Sequence, residues 1–209
     1  MAIWVDRDTA LGVLASHKAT QVVSALCVCV LPWTACLHAE KCLEGEFYSL
    51  SGLTRTGGAY RLFLVAGTVN LFTSLLGQLF VCGLYAPRRI HMWLGSFLCL
   101  VGFCAGVTFL FFPLGAGGDG VIENWEHYLA TALYLVFIEG FYALVAFSPP
   151  CTKKPGARVL PPRVAVGIAF GLALSGGVGW TSTPLFVIVE MLGVLCIAAQ
   201  HILMLSILV

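Results

Sequence analysis

Residues 125–147 read WEHYLATALYLVFIEGFYALVAF. About 20 mainly apolar residues, rising about 1.5 Å each, suffice to cross a hydrocarbon core about 30 Å thick, so this run is long enough to span a bilayer as a helix. Ser148-Pro149-Pro150 closes it, since successive prolines remove backbone donors and clash with a continuing helix. Working outward, the same pattern recurs, and the expectation is an all-α polytopic membrane bundle of six transmembrane helices, at about 20–37, 60–85, 90–114, 124–147, 163–179 and 184–209. Pro32 breaks the first run late, Pro87-Arg88-Arg89 follows the second, and the glycine-rich stretch from Gly115 to Gly120 ends the third. Residues 163–209 read as a hairpin of two spans turning at Gly179-Trp-Thr-Ser-Thr-Pro184, or alternatively as one kinked helix.

The composition agrees. Of 209 residues, 59% are hydrophobic and 10% charged, too few charges to clothe a water-soluble globule. A formal net charge of +1 offers no basic surface, so nucleic acid is excluded as a partner. Most of the nine cysteines fall in apolar runs, where Cys behaves as a small hydrophobe. The whole chain reads as a single transmembrane domain, because the longest polar segment, residues 38–59, cannot bury a core of its own.

Cytoplasmic loops retain Lys and Arg, which sets the orientation. Arg7, Lys18, Arg88, Arg89, Lys153, Lys154, Arg158 and Arg163 fall on one side, eight in all, against three on the other, Lys41, Arg55 and Arg61. Both termini are therefore expected in the cytoplasm. The first run is too long, and its approach too charged, for a cleaved signal peptide.

No P-loop, dinucleotide-binding glycine pattern, HExxH, CxxC or GxSxG occurs, so no local motif marks an enzyme, and neither a cofactor nor a metal site is expected. Function then falls to the polar groups inside the spans, each of which is costly in lipid unless paired or hydrated. Glu139 lies deep in the fourth span and is expected to face the interior, either contacting a ligand or bonding to another helix. Glu190 and His201 sit eleven residues apart, about three turns and about 16 Å, so they share a helix face and can line one cavity at different depths. The plain alternative for His201 is an interfacial imidazole bonded to a carbonyl. Asn70, Ser74 and Gln78 recur every fourth residue, which suits helix packing or a substrate groove. Gly95, Gly102 and Gly106 predict close helix contact. His127 follows the acidic Glu123-Asn-Trp-Glu126 segment and reads either as a headgroup or metal contact or as part of an interfacial belt with Trp125 and Tyr128. Cys36 and Cys42 can pair if their side is oxidising, and Cys151 beside Lys153-Lys154 is a palmitoylation candidate.

A set of short motifs resembles the six-span Frag/DRAM/Sfk membrane family. They are the loop patch Phe47-Tyr48-Ser49-Leu50-Ser51-Gly52 before Tyr60-Arg61, His127 at the start of the fourth span, and Phe186, Glu190 and His201 in the last. His127, Phe186, Glu190 and His201 look like the branch of that family that remodels GPI-anchored proteins in the Golgi, although Met191 stands where an aromatic commonly follows the acid. The resemblance implies a Golgi or endoplasmic reticulum membrane protein acting in GPI-anchor lipid remodelling or its regulation. Membrane lipids and GPI-anchored proteins are the implied partners, and Glu190, His201, His127, Glu139, Asn70 and Gln78 are the candidate lipid or headgroup contacts. A structural accessory subunit of a larger membrane complex, for instance in the mitochondrial inner membrane, is the competing expectation, on the strength of the glycine faces and the lack of an enzyme motif. A pore or proton path would need more carboxylates than Glu139 and Glu190 provide.

Overall fold

The computed structural model describes residues 7–38, 57–85, 89–112, 125–147, 163, 167 and 184–208. Five helices account for nearly all of them: α1 (Arg7–His38), α2 (Gly57–Tyr85), α3 (Arg89–Phe111), α4 (Trp125–Ala146) and α5 (Pro184–Leu208). No strand occurs among the described residues. Gly12–Leu31, Tyr60–Cys82, Ile90–Phe111 and Trp125–Ala146 are long and apolar enough to cross a membrane, and α5 carries a shorter apolar stretch, Glu190–Ser206. The outer surface matches: Val65, Trp93 and Val136 are 65%, 70% and 67% exposed, and hydrophobic side chains at that exposure are at home only against lipid tails. The chain is a multi-pass, all-helical membrane protein.

Two expectations are corrected. The first helix begins at Arg7 rather than near Thr20, and it continues through Pro32 to His38 rather than breaking there. Lys18 is accommodated because a long basic side chain can lay its stem on apolar surface and carry its charge outward. A proline inside a membrane helix is tolerated where neighbouring groups satisfy the freed carbonyl. The proposed fifth span, 163–179, lies outside the described residues except for Arg163 and Gly167, as do Cys42, Cys151 and the loop patch at 47–52.

Successive helices α1 to α4 pack side by side, with α5 against α1 and α2. Lipid supplies no hydrophobic drive between helices, so close approach and polar bonds must hold them. A Cβ added at Gly102 would meet Phe137 and Ile138 of α4, and one at Gly106 would meet Leu71 of α2 and Tyr134 of α4. The glycines of α3 are therefore spent on helices of the same chain. Tyr60 at the start of α2 donates to the carbonyl of Leu110 near the end of α3 at 3.1 Å, which fixes the antiparallel register of that pair. One apolar cluster gathers Val81, Cys99, Phe141, Val145 and Met204 at one end of the bundle. A second gathers Val28, Phe63, Ala66 and Leu110 at the other.

The helices alternate in direction except for one pair. Gln200 meets Glu139, His201 meets Tyr142, and Met204 and Val145 share one apolar cluster, so α4 and α5 run in the same sense. The connection from α4 to α5 thus leaves one end of the bundle and arrives at the other.

Candidate functional site

The polar side chains predicted to matter fall into three hydrogen-bonded clusters and one cavity. The first is a seam between α1 and α2. Asn70 Nδ2 donates to Ser24 Oγ at 3.0 Å, and Gln21 Nε2 donates to Ser74 Oγ at 2.8 Å. Asn70 and Ser74 of the every-fourth-residue stripe on α2 are thus met by Ser24 and Gln21, and His17 continues that side of α1 at i, i+4, i+7 spacing. Each pair gives both partners an internal hydrogen bond, which in hydrocarbon spares the cost of an unsatisfied group.

The second cluster is built around His201, which is fully buried. Its Nε2 faces His17 Nε2 at 3.1 Å, and its Nδ1 lies 3.5 Å from the Tyr142 hydroxyl, which also accepts from Gln78 Nε2 at 3.4 Å. The expectation of an interfacial imidazole bonded to a carbonyl is corrected: this ring joins α1, α2, α4 and α5 in the interior. In a pair of neutral imidazoles one Nε2 must donate and the other accept. Gly77 makes room for the pair, because a Cβ there would fall between the two rings.

The third cluster centres on Glu139, buried on α4. Gln200 Nε2 donates to Glu139 Oε2 at 3.2 Å and to the carbonyl of Arg163 at 2.9 Å. Glu139 Oε1 and Gln200 Oε1 are sealed from solvent with no hydrogen-bond partner among the described residues, and Gly167 packs directly on both side chains. Glu139 thus makes the interhelical contact foreseen as the plain reading of this acid.

Asn70, His127 and Glu190 come together elsewhere, on a part-open cavity of about 100 Å³ near the starts of α2 and α4 and the end of α3. Its polar rim is completed by Thr131 and Tyr134, and its walls are Phe63, Leu71, Leu110, Leu135, Val194 and Ile197. About 15 Å³ admits a water, and an apolar cavity of about 150 Å³ takes up benzene, so this space suits a small polar fragment or the end of a chain rather than a whole lipid.

His127 is the best-defined group in it. Trp125 is exposed, but His127 turns inward, so an interfacial belt does not describe the histidine. Its Nδ1 lies 2.7 Å from the carbonyl of Phe112, one of the orphan acceptors at the end of α3. A carbonyl only accepts, so Nδ1 carries the proton and the neutral ring presents its lone pair at Nε2. Thr131 Oγ1 donates to the His127 carbonyl at 2.8 Å, and Phe109 and Tyr128 pack edge-on against the imidazole. Orientation by a backbone acceptor on one nitrogen is the arrangement that readies the other for a ligand.

Of the six predicted contacts, then, three line the cavity, His201 and Gln78 belong to the interior network, and Glu139 stands with Gln200. No group of three or more metal-ligating side chains occurs among the described residues. His17, Tyr134, Tyr142 and Gln200 were not singled out by sequence. His17 lay before the expected start of its span, the tyrosines sit singly among apolar neighbours, and Gln200 stands beside His201, which drew the attention instead. No family model matches the chain, and neither a curated protein nor a solved structure gives a significant match.

Proposed function

We propose that this multi-pass membrane protein binds a lipid within its bundle and acts in GPI-anchor lipid remodelling, or its regulation, at the Golgi or endoplasmic reticulum membrane. The observation that carries the lipid reading is the single cavity that takes Asn70, His127 and Glu190 from three separate helices into an otherwise apolar wall. A few polar groups converging in an apolar pocket is the usual design of a small-molecule site. The GPI assignment rests on the resemblance of His127, Phe186, Glu190 and His201 to the remodelling branch of the Frag/DRAM/Sfk family. Two of those residues, His127 and Glu190, share the cavity.

Six crossings with both termini in the cytoplasm are the topology proposed with it. Eight Lys and Arg against three favour this orientation, which puts the cavity in the lumenal half. The parallel course of α4 and α5 favours a further crossing between residues 147 and 184, since a connection that changes ends of a membrane bundle has to traverse it. The accessory-subunit alternative has less to draw on, because the α3 glycines that recommended it pack against α2 and α4.

The test is the lipid composition of GPI anchors, by mass spectrometry, in cells lacking the protein and in cells rescued with wild type or Glu190→Gln. Altered anchors that wild type restores and Glu190→Gln does not, at equal abundance, are expected. Unchanged anchors in the deleted cells would remove the GPI assignment.

A further inference from the structure

Among the described residues, α4 packs closely on α3, and α5 on α1 and α2, but α4 and α5 are not one of the closely packed pairs. They meet through long side chains, Gln200 with Glu139 and His201 with Tyr142, which leaves a groove between two parallel helices. We infer that this groove is the seat of residues 168–179, docked antiparallel to both helices with Gly171 at the level of Cys196. This rests on the six-crossing reading and adds to it the place, the direction and the face of the crossing.

Both ends of the occupant are fixed by described residues. Arg163 and Gly167 are helical. The Arg163 carbonyl accepts from Gln200 Nε2 at 2.9 Å, and Gly167 lies against the side chains of both Glu139 and Gln200, so it sits between α4 and α5. Four residues apart, the two share one helix face, and that face is turned to the groove. At the other end α5 begins at Pro184. From Gln200 back to Pro184 is a rise of about 24 Å, so the stretch that leaves Gly167 at the level of Gln200 has to return along α5 to reach its start. As a helix, Gly167 to Gly179 covers about 18 Å of this, and Trp180-Thr-Ser-Thr183 makes the turn. The composition suits the seat: residues 164–179 contain no Asp, Glu, Lys or Arg, and Gly171 keeps the Gly167 face small one turn further on, which lets a helix approach closely between two others. Cys196, one turn before Gln200, interacts electrostatically with Glu139 and Arg163, so it stands on the groove side of α5. Antiparallel register from the Gly167–Gln200 contact then sets residue 171 against residue 196. Further along, the borders of the groove are Leu135 and Thr131 on α4 and Ile197 and Gly193 on α5, all of which line the cavity, so the docked stretch runs beside it.

The experiment is disulfide trapping in the full-length protein in nanodiscs, with Cys196 kept and the other eight cysteines replaced by serine. A disulfide requires Cα atoms within about 7 Å, so it reports the register directly. On oxidation with copper phenanthroline, Gly171→Cys is expected to join Cys196 in most molecules, read by mass spectrometry of the cleaved protein. Ala169→Cys, about 160° round the helix from residue 171, should not. A second pair reads packing without a cross-link: Gly171→Leu should lower the melting temperature by roughly 5 °C and Ala169→Leu should leave it unchanged. Cross-linking by Ala169→Cys as well or instead, cross-linking by neither, or equal melting of the two leucine variants overturns the docking. If Ser182 and Lys154 cysteines are then still labelled from opposite sides of the membrane, the six crossings stand and the docking alone has failed; labelling from one side removes the crossing itself.

Discussion

Replacing Gly77 with alanine tests the packing that brings α1, α2 and α5 together. The new methyl would lie 2.5 Å from His201 Nε2 and 2.6 Å from His17 Nε2, where unstrained contacts begin near 3.5 Å. His201 is fully buried and cannot retreat into solvent. Overpacking of this kind costs about 1–3 kcal/mol. Forcing the rings apart also breaks their 3.1 Å hydrogen bond, and a buried nitrogen left without a partner costs about 1–3 kcal/mol more. Alanine returns about 1 kcal/mol of helix propensity. The net is a loss of about 3 kcal/mol, which for a chain of this length lowers the melting temperature by roughly 6–12 °C. Thermal scanning in one fixed detergent reads the shift. Gly12→Ala is the control, because nothing lies within 4 Å of its added Cβ and propensity alone should raise stability by up to about 1 kcal/mol. Gly102→Ala, whose nearest contacts are 3.4–3.6 Å, should fall between the two. If Gly77→Ala melts at or above wild type while Gly12→Ala rises as expected, the buried histidine pair is not packed as described.

Ser74→Ala should destabilise by about 1–3 kcal/mol, because it strands Gln21 Nε2 while Gln21 Oε1 already has no partner among the described residues. Adding Gln21→Leu should recover most of that loss, and a thermal double-mutant cycle reads the coupling; strict additivity would argue against the bond. Glu139→Gln should preserve folding and abundance, since a neutral amide oxygen still accepts from Gln200, whereas Glu139→Lys should abolish expression of folded protein by burying an unpaired charge. Single cysteines at Ser182 and Lys154, in a background without the native cysteines, should be labelled by an impermeant reagent from opposite sides of the membrane; labelling from one side would exclude the six-span topology.

The apolar runs were plain in the sequence because lipid demands about 20 uninterrupted residues, and a run such as 125–147 has few other uses. The ends of helices were less so. Lys18 seemed to exclude the residues before Thr20 from the first span, yet helical geometry needs only that its charge reach outward, and the membrane-length apolar stretch of α1 runs from Gly12 to Leu31. Within the spans, period-four spacing disclosed the α2 stripe, because Asn70, Ser74 and Gln78 repeat. It could not disclose their partners, which is a matter of how helices are rotated against each other. Glu190 and His201 illustrate the limit. Eleven residues correctly put them on a shared face, but about 16 Å of rise carried His201 away from the cavity and onto His17, a residue no in-sequence spacing connects to it. For His127 the sequence left two readings open, because neighbours Trp125 and Tyr128 spoke for an interfacial belt, while the orphan carbonyl of Phe112 that turns the ring inward belongs to another helix.

The central claim is that the cavity at Asn70, His127 and Glu190 holds one end of a lipid. Native mass spectrometry of the protein released from nanodiscs measures this directly, by the number of lipid molecules each variant retains. Wild type should retain one tightly held lipid, Gly12→Ala should retain the same, and Val194→Phe should retain none. Equal retention by wild type and Val194→Phe, or a bare wild-type protein, would contradict the account.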